Sequence, residues 1–366
     1  MKNVLFDSKH YIKPIKDDWE NVLFELTDFC NLNCPFCLND SSSDNKTYLS
    51  LSQFQVMLDK IKNKAPFVQL SGGEPLANPE FSSILEYLIL NNVVFHINTN
   101  GTLMTDWLLE TLLTYKRSSI QFSLDGATAI TNDHIRCSGH YDKIVQIIKF
   151  LKQSDFRRGA LKMVINKINY HEIEQNFMLA MEYGFLPTYS FVIRSGRAEN
   201  NWPDLYLEDN ERYEARNLIW HLIDKYSKYF DRFDNPGLIS YLRNMNINYG
   251  GECQFNLNYC RFTPYIHVNG NVQPCQGLID SEYCVGNLLV QTPDELFSHN
   301  NILVQSFLER VKQRRNILDK ETCANCALNK TCGKGCILES LDSGDFNAKP
   351  ATCYLRKKDF LSRMLK

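Results

Sequence analysis

The chain has 366 residues, a formal net charge of −2, 44% hydrophobic residues and 22% charged residues. These values are typical of a globular protein with a large core, and they exclude the basic excess of a nucleic-acid-binding protein. No apolar run reaches the roughly 18 residues of a membrane span, and residues 1–19 lack the apolar segment of a signal peptide. The sequence therefore predicts a cytoplasmic protein with no nucleic-acid or membrane partner.

Three cysteines follow the first predicted strand. Residues 21–27 alternate and are rich in strand formers, and Pro35 discourages a helix, so Cys30, Cys34 and Cys37 are predicted on a loop. In a chain without an export signal, clustered thiols indicate metal ligands. A [4Fe–4S] cluster normally takes four thiolates, and three leave one iron open for chemistry. A zinc site that lacks one ligand, or buried free thiols, are the alternatives.

At this spacing the loop resembles the cluster loop of the radical S-adenosylmethionine (SAM) enzymes. The resemblance implies that Cys30, Cys34 and Cys37 hold a [4Fe–4S] cluster whose open iron binds SAM. It also implies that Phe36 lies near the adenine of SAM, although ordinary loop packing would explain this aromatic residue equally.

Strand and helix patterns alternate over the next part of the chain. Such repetition predicts a parallel sheet, and six strands are fewer than the eight of a closed barrel. The predicted fold class is therefore α/β, an open (β/α)6 partial TIM barrel followed by a small loop-rich α+β iron–sulfur domain. After the first strand, strands are predicted at 67–70, 93–97, 119–124, 160–165 and 187–193, and helices at 50–60, 79–90, 105–115, 142–153 and 170–183.

The second strand leads into Ser-Gly-Gly-Glu-Pro, which resembles the Gly-Gly-Glu-Pro motif of radical SAM enzymes. The resemblance implies that Gly72, Gly73 and Glu74 bind the methionine amino group of SAM. Glycine lets the backbone approach a ligand and a carboxylate pairs with an ammonium, so the chemistry is consistent. A plain turn is the alternative.

Motifs after the fourth strand also resemble the family. Ser123 and Asp125 match the strand end whose serine contacts SAM, and Arg136 matches the arginine of a His-Asp-x-x-Arg element. Asn132 stands where that element usually has histidine. The resemblance implies that Ser123, Asp125 and Arg136 are cofactor-binding residues.

Polar residues at two other strand ends are further candidates. Asn98, Thr99 and Asn100 are predicted to contact the cofactor, with a simple turn cluster as the alternative. Tyr189, Arg194 and Arg197 lie near the last strand end and are predicted to face substrate.

The last third of the chain changes character. Residues 206–230 predict one long helix, and Asn269-Gly270 between alternating segments predicts a hairpin over 265–268 and 271–274. From Cys253 onward, eight cysteines besides Cys284 lie at short intervals, enough for two tetrathiolate sites that hold either zinc or iron–sulfur clusters.

The order of these cysteines resembles a SPASM domain, which carries two auxiliary [4Fe–4S] clusters. The resemblance implies one cluster on Cys253, Cys260, Cys275 and Cys336, and another on Cys323, Cys326, Cys332 and Cys353. With full ligation these clusters are expected to transfer electrons. The two remaining cysteines, Cys137 and Cys284, are predicted to be buried small hydrophobes.

The predicted organisation has four parts, an N-terminal segment at 1–20, a radical SAM core at 21–200, a helical bridge at 201–250 and a SPASM domain at 251–366. About 20 residues before the first strand are too few for a leader-peptide-binding domain. Substrate is thus expected to dock at the barrel mouth or to be presented by a separate protein.

The predicted function is reductive cleavage of SAM to a 5′-deoxyadenosyl radical that abstracts hydrogen from a peptide side chain, giving a crosslink or an oxidised residue. The expected cofactors are three [4Fe–4S] clusters and SAM, with an external flavodoxin or ferredoxin as electron donor.

A small-molecule dehydrogenase of antibiotic or cofactor biosynthesis is the first alternative, and a non-enzymatic iron–sulfur or zinc protein is the class that the motifs argue against. A sulfatase maturase is disfavoured, because Gln276 replaces the aspartate that serves such enzymes as a base, and Asp280 is a weak substitute.

Overall fold

The computed structural model describes residues 21–63, 67–233, 255–256, 259–260, 264–278, 281–296, 298, 300–326, 329, 335, 337–341, 344–350 and 353. Six parallel strands run in sequence order through its centre, which confirms the predicted α/β fold class. The strands are β1 (Val22–Glu25), β2 (Phe67–Ser71), β3 (Val94–Thr99), β4 (Ser118–Ser123), β5 (Gly159–Ile165) and β6 (Leu186–Phe191).

Helices connect these strands close to the predicted positions. The first helix begins with a capping box between Ser50 and Gln53, as its sequence indicates. A helix at Ala129–Ile135, capped by Thr128, is one that the sequence analysis missed. The helices of this half are α1 (Leu51–Ile61), α2 (Phe81–Leu90), α3 (Asp106–Thr114), α4 (Ala129–Ile135), α5 (His140–Gln153) and α6 (Ile173–Tyr183).

The two faces of the sheet differ sharply in polarity. Side chains such as Phe24, Leu70 and Ile97 pack against the helices in the main hydrophobic core. Because successive strand residues point to opposite faces, Glu25, Gln69 and their equivalents face the other side, which we call the inner face. A polar inner face in a partial barrel provides a chamber for a polar ligand.

The chain departs from prediction after β6. Instead of one helix over 206–230, there are α7 (Trp202–Leu205), α8 (Asp209–Lys225) and a 3₁₀ helix (Ser227–Arg232). Tyr206 is extended, and the Glu208 side chain caps the start of α8 in a capping box with Glu211. The prediction of a single helix is wrong because this internal cap starts a new helix.

The C-terminal part joins the same sheet. The predicted hairpin is present, with Gly270 at φ +83°, and its first strand pairs with β1 in parallel. Among the described residues, the sheet therefore has nine strands, in the order β11-β10-β9-β1-β2-β3-β4-β5-β6. The short strands are β7 (Phe255–Asn256), β8 (Tyr259–Cys260), β9 (Tyr265–Ile266), β10 (Asn271–Gln273) and β11 (Gly286–Asn287).

Lys60 on α1 fixes this C-terminal part to the core. Its Nζ donates to the carbonyl oxygens of Leu288 at 2.7 Å, Leu289 at 2.9 Å and Gln291 at 3.1 Å. The remaining described helices are α9 (Pro293–Leu296), α10 (Ile302–Lys320) and α11 (Ile337–Leu341). Within the described residues, no helix combines the length and the apolar character that a bilayer span requires.

Candidate active site

The three-cysteine loop is held at both ends by backbone contacts. The amide of Cys30 donates to the carbonyl of Ser42 at 3.0 Å, and the amide of Cys37 donates to the carbonyl of Cys34 at 3.2 Å. Cys34 is buried, while Cys30 and Cys37 are half-buried. The loop thus presents three thiols from the carboxyl end of β1, as predicted.

Arg197, which follows β6 in the chain, holds this loop in place. Its guanidinium donates to the carbonyls of Cys34 at 2.9 Å and Ser41 at 2.7 Å, and it pairs with Asp40 at 3.0 Å. The prediction that Arg197 faces substrate is wrong, because these partners occupy the guanidinium. The adjacent Gly196, at φ +58°, is packed so closely that an added Cβ would lie 2.3 Å from the carbonyl oxygen of Leu38.

Tyr189, also predicted to face substrate, is buried in a second hydrophobic core with Ile173 and Phe177. That prediction is wrong, because residue 189 points to the helix-covered face of β6. Arg194 is exposed, and its substrate role stays a prediction.

The Gly-Gly-Glu segment docks directly on the strand that leads to the cysteines. The amide of Gly73 donates to Thr27 O at 2.7 Å, and the amide of Glu74 donates to Phe29 O at 2.8 Å. A Cβ added to Gly72 would lie 2.4 Å from Thr27 O, and one added to Gly73 would lie 2.0 Å from Phe29 O. Both glycines are required for this backbone-to-backbone packing, a role that the sequence analysis assigned to cofactor approach alone.

The Glu74 carboxylate is fully buried and already has protein partners. It accepts hydrogen bonds from Thr99 Oγ1 at 2.6 Å, from the backbone amide of Asn100 at 2.7 Å and from the backbone amide of Leu76 at 3.1 Å. Burial raises the pKa of Glu74 to about 7. Glu74 and Thr99, both predicted cofactor contacts, therefore fix the end of β3 to the Gly-Gly-Glu segment.

Asp125 and Arg136 form a buried ion pair beneath the cysteine loop. The Asp125 carboxylate accepts from the Arg136 guanidinium and from the Val164 amide, the latter at 2.7 Å. Arg136 also donates to Cys34 Sγ at 3.5 Å and lies over the Phe36 ring at 5.3 Å from its centroid. Arg136 thus supplies positive charge to a thiol, and Asp125 positions it there.

Asn100, a predicted cofactor contact, and His140, which the sequence analysis did not select, complete the surroundings of the thiols. The side-chain amide nitrogen of Asn100 lies 3.9 Å from Cys30 Sγ and donates to Asn31 Oδ1 at 3.0 Å. His140 Nε2 is 2.8 Å from the carbonyl oxygen of Asn100, and His140 Nδ1 is 2.9 Å from the Asn132 side-chain amide. Burial lowers the pKa of His140 to about 4, so the imidazole is neutral and donates from Nε2. Asn132, which stands where the family motif usually has histidine, was the sequence signal for His140, because the Asn132 side-chain amide pairs with this imidazole.

Asn98 and Ser123 both lie on the inner face. Gln121 donates to Asn98 at 3.0 Å, Thr188 donates to Gln121 at 3.1 Å, and the Asn98 amide is 3.4 Å from Gln69 Oε1. Asn98 therefore belongs to a belt of side chains that crosses the chamber. Ser123 is half-buried at the carboxyl end of β4, where its role as a cofactor contact stays a prediction.

Comparison with known proteins agrees with this geometry. Residues 24–180 match the radical SAM superfamily. The chain contains a radical SAM domain. The family prediction drawn from the cysteine spacing and the Gly-Gly-Glu motif is confirmed, and so is the prediction of an enzyme that uses SAM and a [4Fe–4S] cluster, which the family implies.

Several relatives extend the similarity beyond this domain. The mycofactocin maturase MftC of Mycolicibacterium smegmatis is 26% identical over 329 residues, covering 88% of this chain and 79% of MftC. The antilisterial bacteriocin subtilosin biosynthesis protein AlbA of Bacillus subtilis is 27% identical over 338 residues, covering 90% of this chain and 69% of AlbA. The structure of Streptococcus suis SuiB bound to precursor peptide SuiA has a TM-score of 0.68 at 16% identity, covering 92% and 76% of the two chains.

The donor set of the radical SAM domain fits an iron–sulfur cluster. Among the described residues, no three His, Cys, Asp or Glu side chains are placed to hold a single metal ion. A cube binds each thiolate on a different iron, so its ligands need not converge on one point. Burial raises the pKa of the Cys30 thiol to about 12 and also raises that of Cys34. Thiolates at such buried positions require a metal and N–H donors such as Arg136 and Asn100.

The C-terminal cysteines are only partly within the described residues. Cys275, Cys323, Cys326 and Cys353 are half-buried. Cys253, Cys332, Cys336 and the side chain of Cys260 lie outside the described residues, as does Asp280. Cys137 and Cys284, predicted to be buried, are half-buried, and Cys284 Sγ donates to Gly286 O at 3.3 Å.

We expect Gly73→Ala to disrupt the docking of the Gly-Gly-Glu segment, because the added Cβ would overlap the backbone of Phe29. The free energy of unfolding should fall by at least about 2 kcal/mol, at the upper part of the range for overpacking, and the iron content should fall with it. Urea denaturation followed by circular dichroism and an iron assay would measure both.

Gly139→Ala is the matched control for Gly73→Ala. Gly139 has φ +76°, but an added Cβ would meet nothing within 4 Å, so only the backbone conformation is strained. The control should lose about 1 kcal/mol and keep its iron. Equal losses in the two variants would contradict the docking role.

Arg136→Met should lower the reduction potential of the SAM-binding cluster and reduce 5′-deoxyadenosine formation about 10- to 100-fold. The variant removes both a positive charge and an N–H donor beside Cys34, and loss of such outer partners has effects of this size. Electron paramagnetic resonance during a redox titration would measure the potential. Arg136→Lys keeps the charge beside Asp125, so its reduction potential should lie between those of Arg136→Met and wild type. Arg157→Met removes an exposed ion pair and is the control, so its potential should equal that of wild type. An unchanged potential in Arg136→Met would refute the role.

Proposed function

We propose that this protein is a radical SAM enzyme of the SPASM type that modifies a peptide, by crosslinking or oxidising a side chain. The observation that carries the proposal is the docking of Gly72–Glu74 on residues 27–29, since it sets three thiols beside the segment that resembles a SAM-binding motif. The inner face of the sheet, lined by polar side chains, opens at the same edge.

When bound at Cys30, Cys34 and Cys37, a [4Fe–4S] cluster supplies the electron that cleaves SAM and so provides the 5′-deoxyadenosyl radical for hydrogen abstraction. The protein residues prepare this chemistry. Arg136, held by Asp125, donates to a cluster thiol, and Glu74 keeps the ends of β2 and β3 together. The hydrogen-bonded belt that crosses the chamber limits the access of water to the substrate.

The relatives support a peptide as the substrate class. MftC is a mycofactocin maturase, AlbA acts in the biosynthesis of a bacteriocin, and SuiB was crystallised with its precursor peptide SuiA. Most of this chain aligns with most of MftC and most of AlbA. We propose the same substrate class here, with the reacting side chain placed in the chamber.

The proposed C-terminal SPASM domain, at 251–366, holds two auxiliary [4Fe–4S] clusters on the eight cysteines that the sequence analysis assigned to it. A flavodoxin or ferredoxin is the proposed electron donor. The thirteen cysteines of the chain are consistent with the reducing cytoplasm as its setting.

The cluster count can be tested by iron and sulfide analysis of protein reconstituted without oxygen. Three cubes correspond to about 12 iron atoms per chain. The triple variant of Cys30, Cys34 and Cys37 to alanine should fall to about 8, as should the double variant of Cys323 and Cys326 to alanine. Cys137→Ala is the control and should keep the full content, whereas about 4 iron atoms in wild type would leave only the SAM-binding cluster.

The substrate class can be tested with short peptides encoded by reading frames beside this gene. Wild-type enzyme, supplied with SAM and dithionite, should form 5′-deoxyadenosine and convert one peptide to a product that has lost hydrogen, detected by mass spectrometry. Cys34→Ala should form neither compound. If wild type oxidised a small alcohol but none of the peptides, the peptide assignment would fail.

A further inference from the structure

Glu25 and His267 form a buried pair where the C-terminal hairpin meets the core. Residue 25 ends β1, and residue 267 directly follows β9, which pairs with β1 in parallel. Phe24 and Ile266 face the hydrophobic core, so Glu25 and His267 face the inner side. The pair therefore lies in the proposed substrate chamber.

The contacts of the pair determine which nitrogen of the His267 imidazole faces the carboxylate. His267 Nδ1 is 2.9 Å from Glu25 Oε2, and the same carboxylate oxygen is 3.3 Å from the Val268 amide. A carboxylate can only accept, so Nδ1 carries a proton, and in the neutral imidazole Nε2 carries the lone pair. Among the described residues, Nε2 is buried and has no hydrogen-bond partner.

Neighbouring residues restrict the imidazole. The Tyr265 ring contacts the imidazole edge-on, with 4.7 Å between the ring centroids. The Tyr265 hydroxyl in turn accepts a hydrogen bond from the Asn39 side-chain amide at 2.8 Å. The side chains of Glu25 and His267 are 7% and 19% exposed. A buried ring nitrogen left without a partner costs free energy, so it points to a ligand group that this site awaits.

The pair also adjoins the segments that hold the cofactor. A Cβ added to Gly72 would lie 3.3 Å from Glu25 Cγ, so Glu25 touches the Gly-Gly-Glu segment. Asn39, which holds Tyr265, follows Cys37 by two residues. A substrate side chain placed for hydrogen abstraction at this edge would be within reach of His267.

Such a reaction needs a proton acceptor, and Gln276 does not provide one. Gln276 is exposed, and an amide is not a base. An imidazole held through Nδ1 by a carboxylate is the usual arrangement of a general base.

We propose that His267, oriented by Glu25, accepts a proton from the peptide substrate during its oxidation. This inference rests on the proposed function. With SAM and the proposed clusters bound, the substrate carbon would lose a hydrogen atom to the 5′-deoxyadenosyl radical and one electron to an oxidised C-terminal iron–sulfur cluster. The heteroatom that forms the new bond to this carbon releases its proton to His267 Nε2, so the substrate loses one hydrogen atom, one electron and one proton and gains one carbon–heteroatom bond.

The test uses the holoenzyme and the peptide that wild type modifies, with deuterium at the reacting carbon. His267→Ala should lower product formed per 5′-deoxyadenosine about 10²-fold or more, the loss expected for a general base. Deuterium should still appear in 5′-deoxyadenosine, and added imidazole should restore product. His267→Gln can still donate to Glu25 but cannot accept a proton, so it should be as defective as His267→Ala.

The exposed His221→Ala on α8 is the control and should match wild type. An unchanged product ratio in His267→Ala or full activity in His267→Gln would overturn the proposal. So would loss of deuterium transfer without rescue by imidazole, because the pair would then only join β9 to β1.

A second measurement separates this proposal from the proposed function. Nitrogen NMR of histidine-labelled holoenzyme should show His267 protonated at Nδ1 and unprotonated at Nε2, with that preference lost in Glu25→Gln. A protonated Nε2 in neutral wild type would refute the pair as a base. Failure of wild type to modify any peptide would instead refute the peptide substrate.

Discussion

The packing of two backbone segments without side chains between them is the contact on which the site depends. Residues 27–29 form the Thr-Asp-Phe stretch before Cys30, and Gly72 and Gly73 lie against this stretch at distances that no Cβ allows. Two amide-to-carbonyl hydrogen bonds, from Gly73 and Glu74, fix the register of the segments. Because the cysteine loop has few helical or strand constraints of its own, its position is set by this contact and by Arg197.

Charge around the thiols follows from the same arrangement. Burial disfavours thiolates, yet Arg136 reaches Cys34 and the Asn100 amide approaches Cys30. Asp125 and His140 hold these two donors, and both are themselves held by backbone groups of neighbouring strands and loops. The polar network thus extends from the cluster loop into the sheet, where a change in one strand end alters the environment of a thiol.

The C-terminal hairpin has a structural and a chemical consequence. By pairing with β1 it extends the barrel sheet to nine strands, so the proposed SPASM region is continuous with the core through main-chain hydrogen bonds. The same pairing brings His267 beside Glu25, 242 positions earlier in the chain. A chamber residue is therefore contributed by the part of the chain that holds the cysteines of the proposed auxiliary clusters.

Local pattern determined the fold class, the six strands, the hairpin and the three-cysteine loop, since periodicity, turn residues and cysteine spacing act over short distances. The sequence by itself could not show that Arg197 braces the loop, that Tyr189 is buried or that His140 pairs with Asn132. It also gave no reason to join Glu25 to His267. Only the tertiary structure decided these roles, because each depends on which strand ends and helices become neighbours, and contacts between distant residues leave no periodic trace in the chain.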